Sequence, residues 1–141
     1  MGFTHLLEDG RLAQGSAPPS DARMPFDVVV LAAAEYQPVM PGYEVLRVPL
    51  EDRFPPGPPP DAYTRALVAE TAARIARRVR SGRRVLVTCH AGRNRSGLLA
   101  GLALTQLGVP GLQAATLIRL LRDGLHNPYF LRMVVKSSAH G

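Results

Sequence analysis

Cysteine occurs once in this chain, tryptophan not at all, and lysine only at Lys136. A single thiol can form neither an internal disulfide nor a multi-thiolate metal centre, so disulfide-stapled scaffolds and cysteine-cluster zinc modules are excluded. Whatever Cys89 does, it does alone. Aromatic residues make up only 6%, and no stacking motif accompanies the basic residues, which removes the main sign of a single-strand nucleic-acid binder. The longest apolar run, around residues 28–34, falls far short of the roughly 20 residues that span a bilayer. The segment Met1-Gly2-Phe3-Thr4-His5 has no basic stretch leading into a long apolar one. No secretory signal is read there, and a cytoplasmic protein without membrane attachment is expected.

What is present fits a globular fold. The chain has 141 residues, 46% of them hydrophobic and 20% charged, enough for one domain over residues 1–141 with a frayed tail at 136–141. No internal repeat is visible, and nothing signals oligomerisation, so a monomer is the default. The net charge of +6 favours an anionic partner, be it nucleic acid, phospholipid or phosphoprotein.

Pattern and punctuation assign the elements. Residues 11–16 followed by Pro18 and Pro19 read as a short edge strand. Residues 26–31 are β-branched and nearly continuous in hydrophobicity, the mark of a doubly buried strand; residues 43–50 alternate and form another. The five prolines within 51–60 enforce a loop. Asp61 then occupies an N-cap position before a helix over 62–80, with Val68, Ala72, Ile75 and Val79 on its buried stripe. Residues 84–88 form a short buried strand, and 96–107 a helix apolar around nearly its whole circumference. A helix over 112–122 sets Gln113, Thr116 and Arg119 against a leucine face, and Asn127-Pro128 opens a last one with cap and proline in sequence. Strands interleaved with helices predict an α/β fold: a central, mostly parallel sheet of four or five strands flanked by helices.

The chemistry concentrates at residues 84–96, Arg-Val-Leu-Val-Thr-Cys-His-Ala-Gly-Arg-Asn-Arg-Ser. A buried strand delivers Cys89 to a short loop, Arg95 closes it, and a helix follows. Residues His90, Ala91, Gly92, Arg93 and Asn94 curl at a helix N-terminus, where backbone N–H groups and the helix dipole suit a tetrahedral dianion. Gly92 supplies the backbone freedom of the curl. Those N–H groups and the Arg95 guanidinium stabilise thiolate over thiol, which makes Cys89 a nucleophile near neutral pH. Arg95 can clamp two phosphate oxygens with a planar fork and stabilise charge in the transition state. Ser96 is close enough to donate a hydrogen bond to the departing sulfur.

A leaving oxygen also needs a proton, and Asp52 in the proline-rich loop is the candidate acid. Asp61 is better explained as a cap, and Glu51 is a weaker rival. Side chains of His90, Arg93 and Asn94 could meet substrate or simply face solvent. Arg74, Arg77 and Arg78 read as a solvated helix face, and Tyr63, Tyr129 and Phe130 as packing.

These residues resemble the protein tyrosine phosphatase superfamily, in particular its small dual-specificity members, whose hallmark is Cys-x5-Arg followed by Ser or Thr. Residues 11–16, 48–52 and 125–130 resemble the family's opening strand, general-acid segment and start of the last helix. The resemblance implies a phosphocysteine at Cys89, phosphate binding by Arg95, acid then base catalysis by Asp52, and assistance to the thiolate by Ser96, with no metal or cofactor. Thr88 stands where the family usually has histidine, which implies a differently tuned thiolate. The expected substrate is a phosphorylated protein carrying phosphotyrosine, in a shallow pocket that would admit phosphoserine and phosphothreonine as well. The alternatives are the same chemistry on RNA 5′-phosphates or phosphoinositides, and a phosphate-recognition module without turnover. A sulfur-transfer domain would leave the Asp52 segment unexplained.

Overall fold

The two continuous apolar runs become the middle of the sheet. In the computed structural model, which describes residues 2–19, 21 and 23–137, the elements are β1 (Phe3–His5), β2 (Leu12–Gly15), β3 (Val28–Ala33), β4 (Glu44–Leu50), α1 (Ala62–Arg80), β5 (Val85–Thr88), α2 (Arg95–Gln106), α3 (Gly111–Arg122) and α4 (Pro128–Val135). Every residue of β3 and β5 is buried. The sheet runs β1-β2-β5-β3-β4, with β1 antiparallel to β2 and the other pairs parallel. The fold is the α/β class read from the sequence, with five strands.

Residues 11–16 do not lie at an edge. All four residues of β2 are buried between β1 and β5. Pro18 and Pro19 follow the end of the strand and so take no donor from its ladder. The edge is β1, too short and too mixed in polarity to show a strand pattern in the sequence.

The helices flank one face. Val28, Val30, Val85 and Val87 pack there in a single core with residues of all four helices. On the other face, Ala13 and Leu86 meet Phe26, Phe3 and Met24, while Val29 and Leu31 meet Met40, Tyr43 and Val45. The links from β2 to β3 and from β3 to β4 contain Pro18, Pro19, Pro25, Pro38 and Pro41. Proline denies them an interior helix, and their apolar side chains cover the sheet instead.

Local signals hold in most helices. The Asp61 carboxylate accepts from Thr64 N–H at 2.8 Å, and Val68, Ala72, Ile75 and Val79 are the buried stripe of α1. In α2, every residue from Arg95 to Thr105 is buried. Asn127 caps α4 by accepting from Tyr129 N–H at 3.0 Å, with Pro128 in the first turn. The leucine face expected of α3 is a different matter. Its buried residues are Gly111, Ala114, Ala115 and Ile118, while Leu112 and Leu120 are exposed. A Cβ on Gly111 would stand 2.3 Å from the Val134 carbonyl oxygen, so α3 lies too close to α4 for leucine at the contact.

Tyr63, expected to pack, is 78% exposed on the first turn of α1. Lys136 closes α4, and Ser137 Oγ lies 3.0 Å from Thr105 Oγ1. The rest of the expected tail, 138–141, is outside the described residues. Among the described residues no helix is long and apolar enough to cross a membrane.

Candidate active site

Cys89 leaves the carboxyl end of β5 and Arg95 begins α2, so residues 90–94 form the strand-to-helix junction where α/β folds gather ligands. Three neighbours hold this loop in shape. Cys89 N–H donates to the Gly15 carbonyl at 3.4 Å, and Leu125 N–H donates to the Arg93 carbonyl at 3.2 Å. Arg122 Nε donates to the Gly92 carbonyl at 3.0 Å. Gly92 has φ +72°, and a Cβ there would stand 2.5–2.6 Å from Arg122 and from the backbone of Gly15 and Ser16. Only glycine fits. Among the described residues, no acceptor takes the backbone N–H groups of residues 90–96, which leaves them available to an anion at the helix start.

The side chains sort into two levels. Asp52, Cys89, His90, Ala91, Arg93, Asn94, Arg95 and His126 line a hollow of about 430 Å³. Beneath it lie Gly92 and the fully buried Ser96, whose Oγ is 3.3 Å from Cys89 Sγ. Cys89 itself is 3% exposed.

Arg95 is buried and paired. Its Nη1 and Nη2 donate to the two oxygens of Glu35 at 2.5 and 2.6 Å, and Nη1 also donates to the Leu50 carbonyl at 3.0 Å. Glu35 follows the end of β3 and brings the carboxylate to the guanidinium in bidentate fashion. The Arg95 hydrogen bonds, partly opposed by desolvation, hold the Glu35 carboxyl down at about 2. In return the Glu35 hydrogen bonds, again against desolvation, raise Arg95 above the ordinary arginine value. Arg95 Nε is buried with no hydrogen-bond partner among the described residues.

The three upstream acids part company. Asp61 is occupied as a cap. Glu51 pairs with Arg53 at the surface, and both line a separate cavity beside Pro58, Pro59 and Pro60. Asp52 faces the Cys89 hollow, where Oδ2 accepts from Asn94 Nδ2 at 2.9 Å and Oδ1 from Asn127 Nδ2 at 2.8 Å. Asn127 Nδ2 also donates to the Arg53 carbonyl at 2.8 Å, and Tyr129 Oη donates to the Gly57 carbonyl at 2.5 Å, so the loop is fastened both from residues 89–95 and from the start of α4.

Several side chains play parts that the sequence did not disclose. Asn94, expected among the anion-binding loop residues, spends its Oδ1 on His126 N–H at 2.7 Å and Asn127 N–H at 3.1 Å. His90 is largely exposed, with Nδ1 3.5 Å from Glu35; Arg93 is exposed at the rim. Arg78, expected on a solvated face, forks onto Glu44 with contacts of 2.6–3.1 Å. Thr88 Oγ1 donates to the Val30 carbonyl at 2.7 Å, the backbone use available to a hydroxyl there. Gln14, fully buried on β2, donates from Nε2 to the Gly92 carbonyl at 3.1 Å, the Arg93 carbonyl at 3.3 Å and Ser96 Oγ at 3.1 Å. A polar residue within an otherwise buried strand was the one available signal for it.

A thiol and a guanidinium on a helix-start loop, with a carboxylate facing them, define the class: a cysteine-based phosphatase. No family model matches the sequence, and no curated protein matches it. Solved structures do. Human DUSP28 has a TM-score of 0.77 and 26% identity, over 95% of this chain and 90% of that one. Tk-PTP in its active form has a TM-score of 0.69 and 25% identity, over 89% of this chain and 90% of that one. OH1 from the Orf virus, a tyrosine phosphatase with triple substrate specificity, shares the fold at a TM-score of 0.73 and 19% identity, over 100% of this chain and 88% of that one. In fold, and at 25–26% identity, the chain is similar to the small dual-specificity phosphatases of the protein tyrosine phosphatase superfamily.

Proposed function

We propose that the chain hydrolyses phosphate monoesters on proteins, phosphotyrosine first, through a phosphocysteine at Cys89. The observation that carries this reading is the meeting of Cys89, Arg95 and Asp52 around one hollow, with Ser96 under the sulfur. In the first step the Cys89 thiolate attacks phosphorus, the P–O bond to the leaving group breaks, and Asp52 gives that oxygen its proton. The loop N–H groups and Arg95 stabilise the charge on the equatorial oxygens. The unpartnered Arg95 Nε is a donor suited to one of them. Water then attacks phosphorus, Asp52 takes its proton, and the P–S bond breaks with its electron pair returning to sulfur, which accepts a hydrogen bond from Ser96. A cytoplasmic location remains part of this proposal.

Arg93, exposed at the rim of the hollow, would also suit an RNA 5′-phosphate or a phosphoinositide headgroup. A panel of phosphotyrosine, phosphoserine and phosphothreonine peptides beside 5′-triphosphorylated RNA and phosphoinositides separates these substrates. The expected result is turnover of phosphotyrosine peptides; cleavage of RNA or lipid alone would overturn the substrate class. Cys89→Ser is expected to abolish hydrolysis, a loss of about ten thousandfold or more, while phosphopeptide binding survives. Turnover unchanged in that variant would refute the nucleophile.

A further inference from the structure

We propose that Gln14 is a positioning residue that keeps the Ser96 hydroxyl proton directed at the Cys89 sulfur. The inference rests on the reading of Cys89 as nucleophile and Ser96 as the group that receives its returning charge.

The direction of each hydrogen bond follows from the donor inventory. The carbonyls of Gly92 and Arg93 can only accept, so the end of the Gln14 amide that faces both must be Nε2, with hydrogens to give. The same Nε2 lies 3.1 Å from Ser96 Oγ, where again it can only donate, its two hydrogens being shared among the three oxygens. The Ser96 oxygen is therefore an acceptor toward Gln14, and its own proton must go elsewhere. A serine in a helix ordinarily turns that proton back to the carbonyl four residues earlier. Here that carbonyl, Gly92, lies outside α2 and already accepts from Gln14 Nε2 and Arg122 Nε, and the carbonyl three residues earlier, Arg93, already accepts from Gln14 Nε2 and Leu125 N–H. The acceptor that remains within reach is Cys89 Sγ at 3.3 Å.

Burial supports a use for this arrangement. Gln14 and Ser96 are both fully buried, and Gln14 Oε1 has no hydrogen-bond partner among the described residues. An orphaned acceptor in the core is a cost that leucine at the same place on β2 would not carry. What glutamine supplies in exchange is its donor end, pointed at the loop and at Ser96. A hydroxyl proton held on sulfur favours thiolate over thiol and eases breakage of the P–S bond, since sulfur leaves with the electron pair. Ser96 keeps its proton throughout.

The test is Gln14→Leu, with alkylation of Cys89 by iodoacetamide followed against pH and with burst kinetics on a phosphotyrosine peptide. The expected outcome is an upward move of the alkylation midpoint by about one pH unit and a roughly tenfold slower breakdown of the phosphoenzyme, the size of one hydrogen bond to a charged group. Formation of the phosphoenzyme is affected less. Added to Ser96→Ala, Gln14→Leu is expected to change neither readout further, whereas a residue that merely props the loop would add its full effect. Additivity, or an unchanged pH profile in Gln14→Leu beside an active wild type, overturns the inference. A wild-type Cys89 that alkylates like a free thiol would instead sink the nucleophile reading beneath it. If Gln14→Leu fails to fold, Gln14→Met, unbranched and of similar length, carries the same expectations and the same refutations.

Discussion

The loop from Cys89 to Arg95 and the proline-rich loop carrying Asp52 face each other across one hollow and are built on opposite plans. In the first, Cys89, Arg95 and Ser96 are buried, glycine is enforced at Gly92, and carbonyls are tied down from β2, α3 and the segment after it. In the second, residues 53–56 are exposed, and the one carboxylate that matters is held by the side-chain amides of Asn94 and Asn127. Packing and backbone fix the loop proposed to bind the anion, whereas two hydrogen bonds hold the carboxylate proposed to give the proton. The first should resist change until it fails outright, and the second should detach without unfolding the protein.

Substitutions can break or sharpen that contrast. Arg95→Lys is expected to lower kcat/KM for a phosphotyrosine substrate by about a thousandfold, because a point charge cannot serve Glu35 and a phosphate with a planar fork. Activity within tenfold of wild type would show that the fork is dispensable. Asp52→Asn should cost about a hundredfold or more in kcat and remove the acid's limb from the pH profile, with a melting temperature near wild type. Asn127→Ser retains a cap for α4 but cannot donate an amide to Asp52. A severalfold to tenfold fall in kcat is expected with stability within about 1 kcal/mol of wild type, read by steady-state kinetics and urea melts.

The smallest effect should come from Glu35→Gln, measured as melting temperature against pH. With its carboxyl held at about 2 instead of the ordinary 4.5, Glu35 contributes stability that is fully present above about pH 4.5 and is lost as pH falls toward 2. Removing that carboxyl should flatten this part of the curve, modestly, because Glu35 is half-exposed. Equal slopes in wild type and variant would show that the pair contributes no stability.

Much of both loops is legible in one dimension. A strand, a turn glycine and a helix start are short-range patterns, so Cys89, Gly92, Arg95 and Ser96 stand out together. Asp52 is separable from Asp61 because a cap position is also a local signal. The misreadings share a cause in packing. Residues 11–16 look like an edge until β1 closes over them, and the leucines of α3 look inward until the close approach to α4 at Gly111 leaves Ala114, Ala115 and Ile118 on the buried face instead.

By itself, then, the sequence determined the α/β class, the helices with their caps, and a cysteine–arginine loop fit for a phosphate. Only the tertiary structure decided which side chains hold that loop to its work. Glu35 meets Arg95 across 60 residues of chain, Asn127 meets Asp52 across 75, and Gln14 meets Ser96 across 82. Periodicity and capping act over a few residues and can be read along the chain; hydrogen bonds between residues so far apart exist only once the sheet has ordered its strands and brought their ends together.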